Sequence, residues 1–326
     1  MQLREIYQLV GEDLAKVESQ IRSVTEVDSP RLAELLDHSL KGGGKRIRPV
    51  LTLLSGKFYY YDLDRLLPMA TAVELMHTAT LVHDDAIDNS TVRRGRPTIN
   101  KVWGGDKAVL LGDYLFAKAG EFAALTGNLR VIRLFAQTLQ IISSGELDQT
   151  FNAFNLEQSR DGYFERISRK TASLFSLAAE SGAILSQSPE ESIKVLREYG
   201  CNLGIAFQIV DDILDFVGTE EEMGKPIGSD LAQGTLTLPA MLLLERYPED
   251  NPVKELFHNR DMPEGGKKKR INQAIELVHS ASILNQCYEV ASGYCARACQ
   301  NLKLLPDNPS RQVLEDLVEL VISRRK

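Results

Sequence analysis

The pattern Asp-Asp-x-x-Asp occurs twice in this chain: Asp84, Asp85 and Asp88 within ATLVHDDAIDN, and Asp211, Asp212 and Asp215 within AFQIVDDILDF. On a helix, the first and last aspartates of each motif share one face. Like charges at that spacing repel, and aspartate is a poor residue for a helix interior. Both motifs nonetheless sit among apolar residues: Leu81, Val82 and Ile87 around the first, and Ile209, Val210, Ile213, Leu214 and Phe216 around the second. Carboxylates in such surroundings need something cationic to offset desolvation and repulsion. One motif alone reads as a solvated acidic helix face. Two of them, accompanied by basic segments, require two acidic helix surfaces to face each other around a shared cation. Oxygen-only ligands without an accompanying cysteine favour a hard ion. Magnesium fits, since it takes a few carboxylates and completes its octahedron with water and phosphate oxygens.

The rest of the chain also reads as helix. Leu3, Ile6, Tyr7, Val10, Leu14, Val17 and Ile21 follow three- and four-residue steps. Asp28-Ser29-Pro30 offers a cap and a first-turn proline, and Leu32, Leu35, Leu36 and Leu40 continue a second helix up to Gly42-Gly43-Gly44. Helical stretches are predicted over 66–89, 107–125, 129–153, 163–185, 190–217, 238–245, 269–302 and 311–323. Breaks are expected at 90–105, 219–234 and 259–266, with EGGKKKR read as a solvated loop before a new helix. Val/Ile/Thr alternation never holds for long, and no low-complexity linker separates domains. The expected architecture is one all-α domain over residues 1–326.

Composition excludes several function classes. The 326 residues are 43% hydrophobic and 25% charged, a globular mixture and not a disordered one. The net charge of −7 argues against general nucleic-acid binding, which needs a basic footprint. The longest uncharged run, 231–244, contains Gln, Gly, Thr and Pro and is shorter than the roughly 20 apolar residues of a membrane span. The start, MQLREIYQLVGEDL, has no apolar signal core. Cys201, Cys287, Cys295 and Cys299 lack C-x-x-C spacing and read as reduced, packed thiols, so a cytoplasmic protein is expected.

Basic residues flank the acidic motifs. Lys45, Arg46 and Arg48 follow three glycines in KGGGKRIRP, where the backbone can approach an anion. Taken alone, that segment reads as a helix end with a solvated basic turn. Arg93 and Arg94 follow the first motif, either as simple ion-pair partners or as receivers of a second phosphate. Lys170 and Thr171 lie on a predicted helix, and Lys225 in GKPIGSD follows the second motif. His77, seven residues before Asp84, lies two turns up the same face and is read as touching substrate; His83 has no such alignment and is read as structural.

Taken together, GGGKRIRP, LVHDDAIDNSTVRRGRPT, the Gly-Asp of LLGDYLFA, the Lys-Thr of RKTASLF, FQIVDDILDF and GKPIGSDLAQGTLTLP resemble the trans-type isoprenyl diphosphate synthases (polyprenyl synthetases). The resemblance runs in order from about 35 to 239. It implies an all-α helical bundle around a deep central cavity, a homodimer, and Mg²⁺-dependent chain elongation that joins an allylic diphosphate to isopentenyl diphosphate repeatedly. It implies that Asp84, Asp88 and Asp211 hold magnesium, with Asp85, Asp212 and Asp215 in support. Arg93, Lys170, Thr171, Gln208 and Lys225 match positions that contact the allylic substrate. Lys45, Arg48, His77 and Arg94 match the isopentenyl diphosphate pocket. One departure stands out: many members, especially short-chain ones, carry Glu-Gly-Lys where this chain has Gln233-Gly234-Thr235. Long-chain members often lack that lysine too, which points to the long-chain branch.

The implied chemistry ionises an allylic diphosphate, with metal and arginines stabilising the negative charge that develops. Product length then depends on the helix face one turn before Asp84. Ala79 and Thr80 stand there, with Met76 and Val73 further down, and small residues at the first two leave room for a long product. Phe135 on a facing helix is the expected floor. Two other functions are weighed. A class I terpene cyclase shares the ionisation step but has no second diphosphate to bind, so it does not account for the second acidic motif and GGGKRIRP. A non-catalytic subunit of a heteromeric synthase is expected to lose acidic positions, and this chain keeps all six.

Overall fold

The computed structural model describes residues 7–218 and 226–323. After a 3-10 turn at Gln8–Val10 come α1 (Gly11–Ser23) and α2 (Pro30–Leu40). The Ser29 hydroxyl accepts a hydrogen bond from the Leu32 amide at 3.4 Å and Pro30 opens the helix, as the cap signal predicts. Next follow α3 (Ile47–Gly56) and α4 (Leu63–Ile87), which ends at the first acidic motif. A two-stranded antiparallel ribbon, β1 (Val92–Arg93) and β2 (Arg96–Pro97), leads into α5 (Ile99–Trp103), α6 (Gly105–Leu125) and α7 (Leu129–Phe151). Then α8 (Arg160–Ile167), a π-helical turn at Ser168–Ala172 and α9 (Ser173–Leu185) precede α10 (Glu190–Val217), which carries the second motif. The chain continues through α11 (Ser229–Ala232), α12 (Leu238–Arg246), α13 (Pro252–His258), α14 (Glu264–Ser280), α15 (Ile283–Leu302) and α16 (Pro309–Ser323).

Helix α9 is the hub. It is buried almost all round and packs against α3, α4, α7 and α10. Helix α4 lies along α6, and α10 lies along α15. The two motif-bearing helices are thus each fixed to α9. The buried side chains form one continuous cluster.

Four local expectations are corrected. Helix α3 is absent from the sequence reading; it is ten residues long and buried over nearly all of its surface. The stretch 163–185 is interrupted by the π turn. The stretch 269–302 breaks at Ser282, which adopts a left-handed φ of 57°. EGGKKKR is the start of α14 and not a loop: its glycines occupy the first turn, Glu264 favours the helix N-terminus, and Ile271 is buried.

Candidate active site

Five of the six motif aspartates divide by what holds them. Asp85, on α4, receives Arg93 Nε on both oxygens at 2.8 and 2.9 Å. Asp212 is 3% exposed; its Oδ2 accepts from the Tyr163 hydroxyl and its Oδ1 from Gln208 Nε2, both at 2.7 Å. Asp215 is 1% exposed and anchors the chain after the helix, accepting from Ser229 Oγ at 2.9 Å and from the Asp230 amide at 3.1 Å. Asp84 and Asp88 differ: among the described residues, no hydrogen bond or ion pair holds either side chain. Burial pushes both above the usual carboxylate range, opposed first by Lys170. The charge of Asp230, whose amide donates to Asp215, also raises Asp88, so the segment that follows the second motif lies within electrostatic reach of the first.

Lys170 and Thr171 project from the π turn. One extra residue in a helical turn re-aims side chains, and such turns concentrate at functional sites. Burial alone would lower Lys170, but Asp84, Glu146 and Asp88 hold it raised; its Nζ pairs with Glu146 of α7 at 2.6 Å. The turn can lie on α10 because Gly204 is there: a Cβ at that position would sit 2.5 Å from Ala172 Cα. One helical turn beyond Gly204 stands Gln208, whose Oε1 accepts from the Thr171 hydroxyl at 2.6 Å. Gly204, Gln208 and Asp212 therefore occupy one face of α10 at four-residue spacing.

Beside Asp85 lies a basic cleft of about 80 Å³ lined by Gly43, Glu74, His77, Arg93 and Arg94, among others. The Arg94 guanidinium donates to the Gly43 carbonyl, and a Cβ on Gly44 would stand 3.1 Å from Arg94 Nη1. The glycine run and the arginine loop are thereby joined. His77 is held neutral: burial, then Arg48, Arg94, Arg93 and Arg46, drive its pKa well below the usual histidine value. Arg48 is buried over the Phe175 ring at 4.5 Å, and its Nε has no hydrogen-bond partner. Burial pulls it down to about 10, with Glu74 and Asp211 pulling back. A neutral imidazole among arginines, one with an unused buried donor, is chemistry suited to an anion of several charges. Arg46 also lines the cleft, but Glu18 and Glu74 hold its guanidinium. Lys45 contributes its carbonyl, which accepts from the Tyr7 hydroxyl. Lys225 lies outside the described residues.

Ala79 is fully buried on α4, and the Thr80 hydroxyl turns back to the His77 carbonyl at 2.7 Å. Phe135 is buried on α7, 4.0 Å from where a Cβ on Gly120 of α6 would lie. His83 is engaged by α6: its Nε2 meets the Val109 carbonyl at 2.9 Å and its ring packs edge-on against Phe116.

The donor set fits a hard divalent cation. Asp84 and Asp88 are desolvated carboxylates whose ionised forms need positive charge. Among the described residues, no three carboxylate, imidazole or thiol groups converge on one point. An ion here would therefore take most of its ligands from water and phosphate oxygens, the habit of Mg²⁺.

Sequence reasoning missed Glu146, Tyr163 and Glu74. Each carried a signal. Glu146 follows Ile142 and Gly145 on the buried face of α7, and Glu74 lies within the fully apolar run of α4, so each is an acid at a core position. Tyr163 is seven residues before Lys170, but the π turn between them hides that alignment.

The sequence profile of the family described as polyprenyl synthetase matches residues 29–278. The chain is 38% identical over 325 residues to the heptaprenyl diphosphate synthase component 2 of Geobacillus stearothermophilus, covering 100% of this chain and 99% of the relative. A solved decaprenyl diphosphate synthase from Rhodobacter capsulatus superposes with a TM-score of 0.91 at 38% identity, covering 100% of both chains. A polyprenyl synthase from Caulobacter crescentus, solved in complex with calcium and isoprenyl diphosphate, superposes with a TM-score of 0.94 at 34% identity, covering 100% of this chain and 98% of that one.

Proposed function

The chain belongs to the polyprenyl synthetase family and has its all-helical fold, and on that premise we propose that it condenses an allylic prenyl diphosphate with isopentenyl diphosphate, repeatedly, to make a long-chain all-trans polyprenyl diphosphate. The observation that carries this reading is the π turn, where Lys170 acts on Asp84 and Asp88 while the neighbouring Thr171 bonds Gln208 beside Asp212, with a basic cleft alongside. Two anions of the same class need two such places.

In this reading Asp84, Asp88 and Asp211 would hold Mg²⁺, which would supply charge neutralisation of the diphosphate leaving group. Arg93 and Lys170 add cationic charge at the same end, with Lys225. Arg48, His77, Arg94 and Lys45 receive isopentenyl diphosphate. The allylic C–O bond breaks and the isopentenyl double bond attacks the allylic carbon. A proton then leaves the new chain, with the departed diphosphate as its acceptor. Thr171 and Gln208 face the allylic carbon with oxygen dipoles, and burial around them excludes water. Ala79 and Thr80 set product length by leaving space one turn below Asp84.

The assembly is a homodimer in this proposal. Support comes from Val102, Val109, Leu110, Ile141 and Leu147, large apolar side chains exposed on α5, α6 and α7. A single domain is supported by the continuous core. No helix among the described residues is long and apolar enough to cross a membrane. Four unbridged thiols support a cytoplasmic setting.

The test is incorporation of labelled isopentenyl diphosphate by the purified chain alone, with product sizes read beside chain-length standards. Asp84→Ala and Asp211→Ala each should lose at least about 100-fold in rate. Near-normal rates in both would refute the assignment, and turnover of the allylic substrate without isopentenyl diphosphate would indicate a cyclase.

A further inference from the structure

Four side chains from three elements form one hydrogen-bonded line beneath the candidate site. Tyr163 of α8 donates to Asp212, Gln208 donates to Asp212, and Thr171 of the π turn donates to Gln208. We propose that Tyr163 and Asp212 are positioning residues that fix the direction in which Gln208 and Thr171 face the allylic carbon. The proposal rests on the function argued above and adds to it two residues that themselves touch no substrate.

The direction follows from donor and acceptor counts. Asp212 accepts on both oxygens, from the Tyr163 hydroxyl and from Gln208. With Asp212 Oδ2 taken by the Tyr163 hydroxyl, Oδ1 faces Gln208, which must present its NH₂. The amide is thereby locked with Oε1 turned away from Asp212 and toward Thr171. A threonine hydroxyl has one proton. With that proton given to Gln208, Thr171 Oγ1 can offer the gap only lone pairs. Lone pairs stabilise a developing cation, whereas an O–H directed at it would oppose ionisation. Tyr163 is fully buried and its ring is wedged against Phe164, with the Arg166 guanidinium 5.5 Å from its centroid, so its hydroxyl has little freedom to point elsewhere.

The experiment uses the full chain with Tyr163→Phe, which deletes one oxygen from a buried ring. Two measurements are made. In metal-free protein labelled with ¹⁵N-glutamine, the Gln208 side-chain amide pair (assigned by its loss in Gln208→Glu) should shift and broaden in Tyr163→Phe and likewise in Asp212→Asn. An unchanged pair in both variants overturns the proposal. In kinetics, kcat should fall about tenfold while KM for both substrates stays within about twofold. In a Thr171→Val background, the same Tyr163→Phe change should cost less than about twofold more, because the group it orients is gone. Fully additive losses would mean that Tyr163 supports the fold only, and would overturn the proposal. Failure of the parent chain to incorporate isopentenyl units would count against the function itself, whereas the amide signal tests the hydrogen-bonded line whatever the activity.

Discussion

Arg46 donates to Glu74 at 2.7 Å, an ion pair between side chains 10% and 7% exposed. Glu18 of α1 closes the other side of the same guanidinium. Arg46 also takes a left-handed backbone, φ 48°, as it enters α3. The pair thus pins the glycine-rich run to α4 and α1, and it holds Arg48 and the Gly43 carbonyl in place for the basic cleft. Arg46, one of three basic residues that follow the glycine run in sequence, is the clamp behind the cleft.

Removing one partner of a buried pair leaves an uncompensated charge. Glu74→Gln should lower stability by about 3 kcal/mol, the lower end for such changes because Glu18 still pairs with Arg46. The urea midpoint measures this. The KM for isopentenyl diphosphate should rise in the same variant, since the cleft loses its support.

The close approach of Ala172 to α10 gives a second test. Gly204→Ala places a methyl 2.5 Å from backbone Cα and 2.9 Å from Cβ of Ala172. Neither atom is the end of a flexible chain, so the π turn and α10 must separate. We expect about 2 kcal/mol of destabilisation and a drop in kcat as Thr171 parts from Gln208. Gly293→Ala on α15, where a Cβ meets nothing within 4 Å, is the control and should be neutral or stabilising in thermal melts.

The metal-free protein should lose stability as pH rises from about 6.5 to about 8. Burial, reinforced by Asp230, raises Asp212 to about 7 in the folded state. The unfolded chain has this group ionised throughout that window, so the folded state binds the extra proton and is favoured at the lower pH. Asp84, Asp85 and Asp88 are raised too and act with the same sign. His77 is depressed and acts in the opposite sense, but only below the ordinary histidine value of about 6.5, where the unfolded chain begins to take up its proton. Thermal melts across the window check the slope; Asp212→Asn should flatten it, and added Mg²⁺ should reduce it by favouring the ionised carboxylates.

Ala79→Tyr should shorten the product. Ala79 is fully buried one turn before Asp84, and an aromatic ring there occupies space that a growing chain would need. Chromatography of the products against standards reads the result. An unchanged product ladder would place the length control elsewhere, with Phe135 the next residue to vary.

Much of this molecule is legible in one dimension because helix signals are local. The Ser29 cap, the 28-residue run of α10 and the four-residue spacing within each acidic motif depend on neighbours in the chain, so α10 begins at Glu190 and ends at Val217 as expected. The same locality exposes the motifs themselves, since three acids in an apolar helix are conspicuous wherever they fold. Which acid does what is not local. Asp85 meets an arginine, Asp212 meets Tyr163, Asp215 meets an amide fifteen residues on, and Asp84 and Asp88 are left desolvated. All six look alike in sequence, and only the packing of α8, the π turn and the ribbon against α4 and α10 separates anchors from candidate ligands. Burial takes carboxylates out of water, as at Asp212, and pairing consumes charge, as in Arg46. Both depend on partners far away along the chain, so they appear only once the helices are assembled.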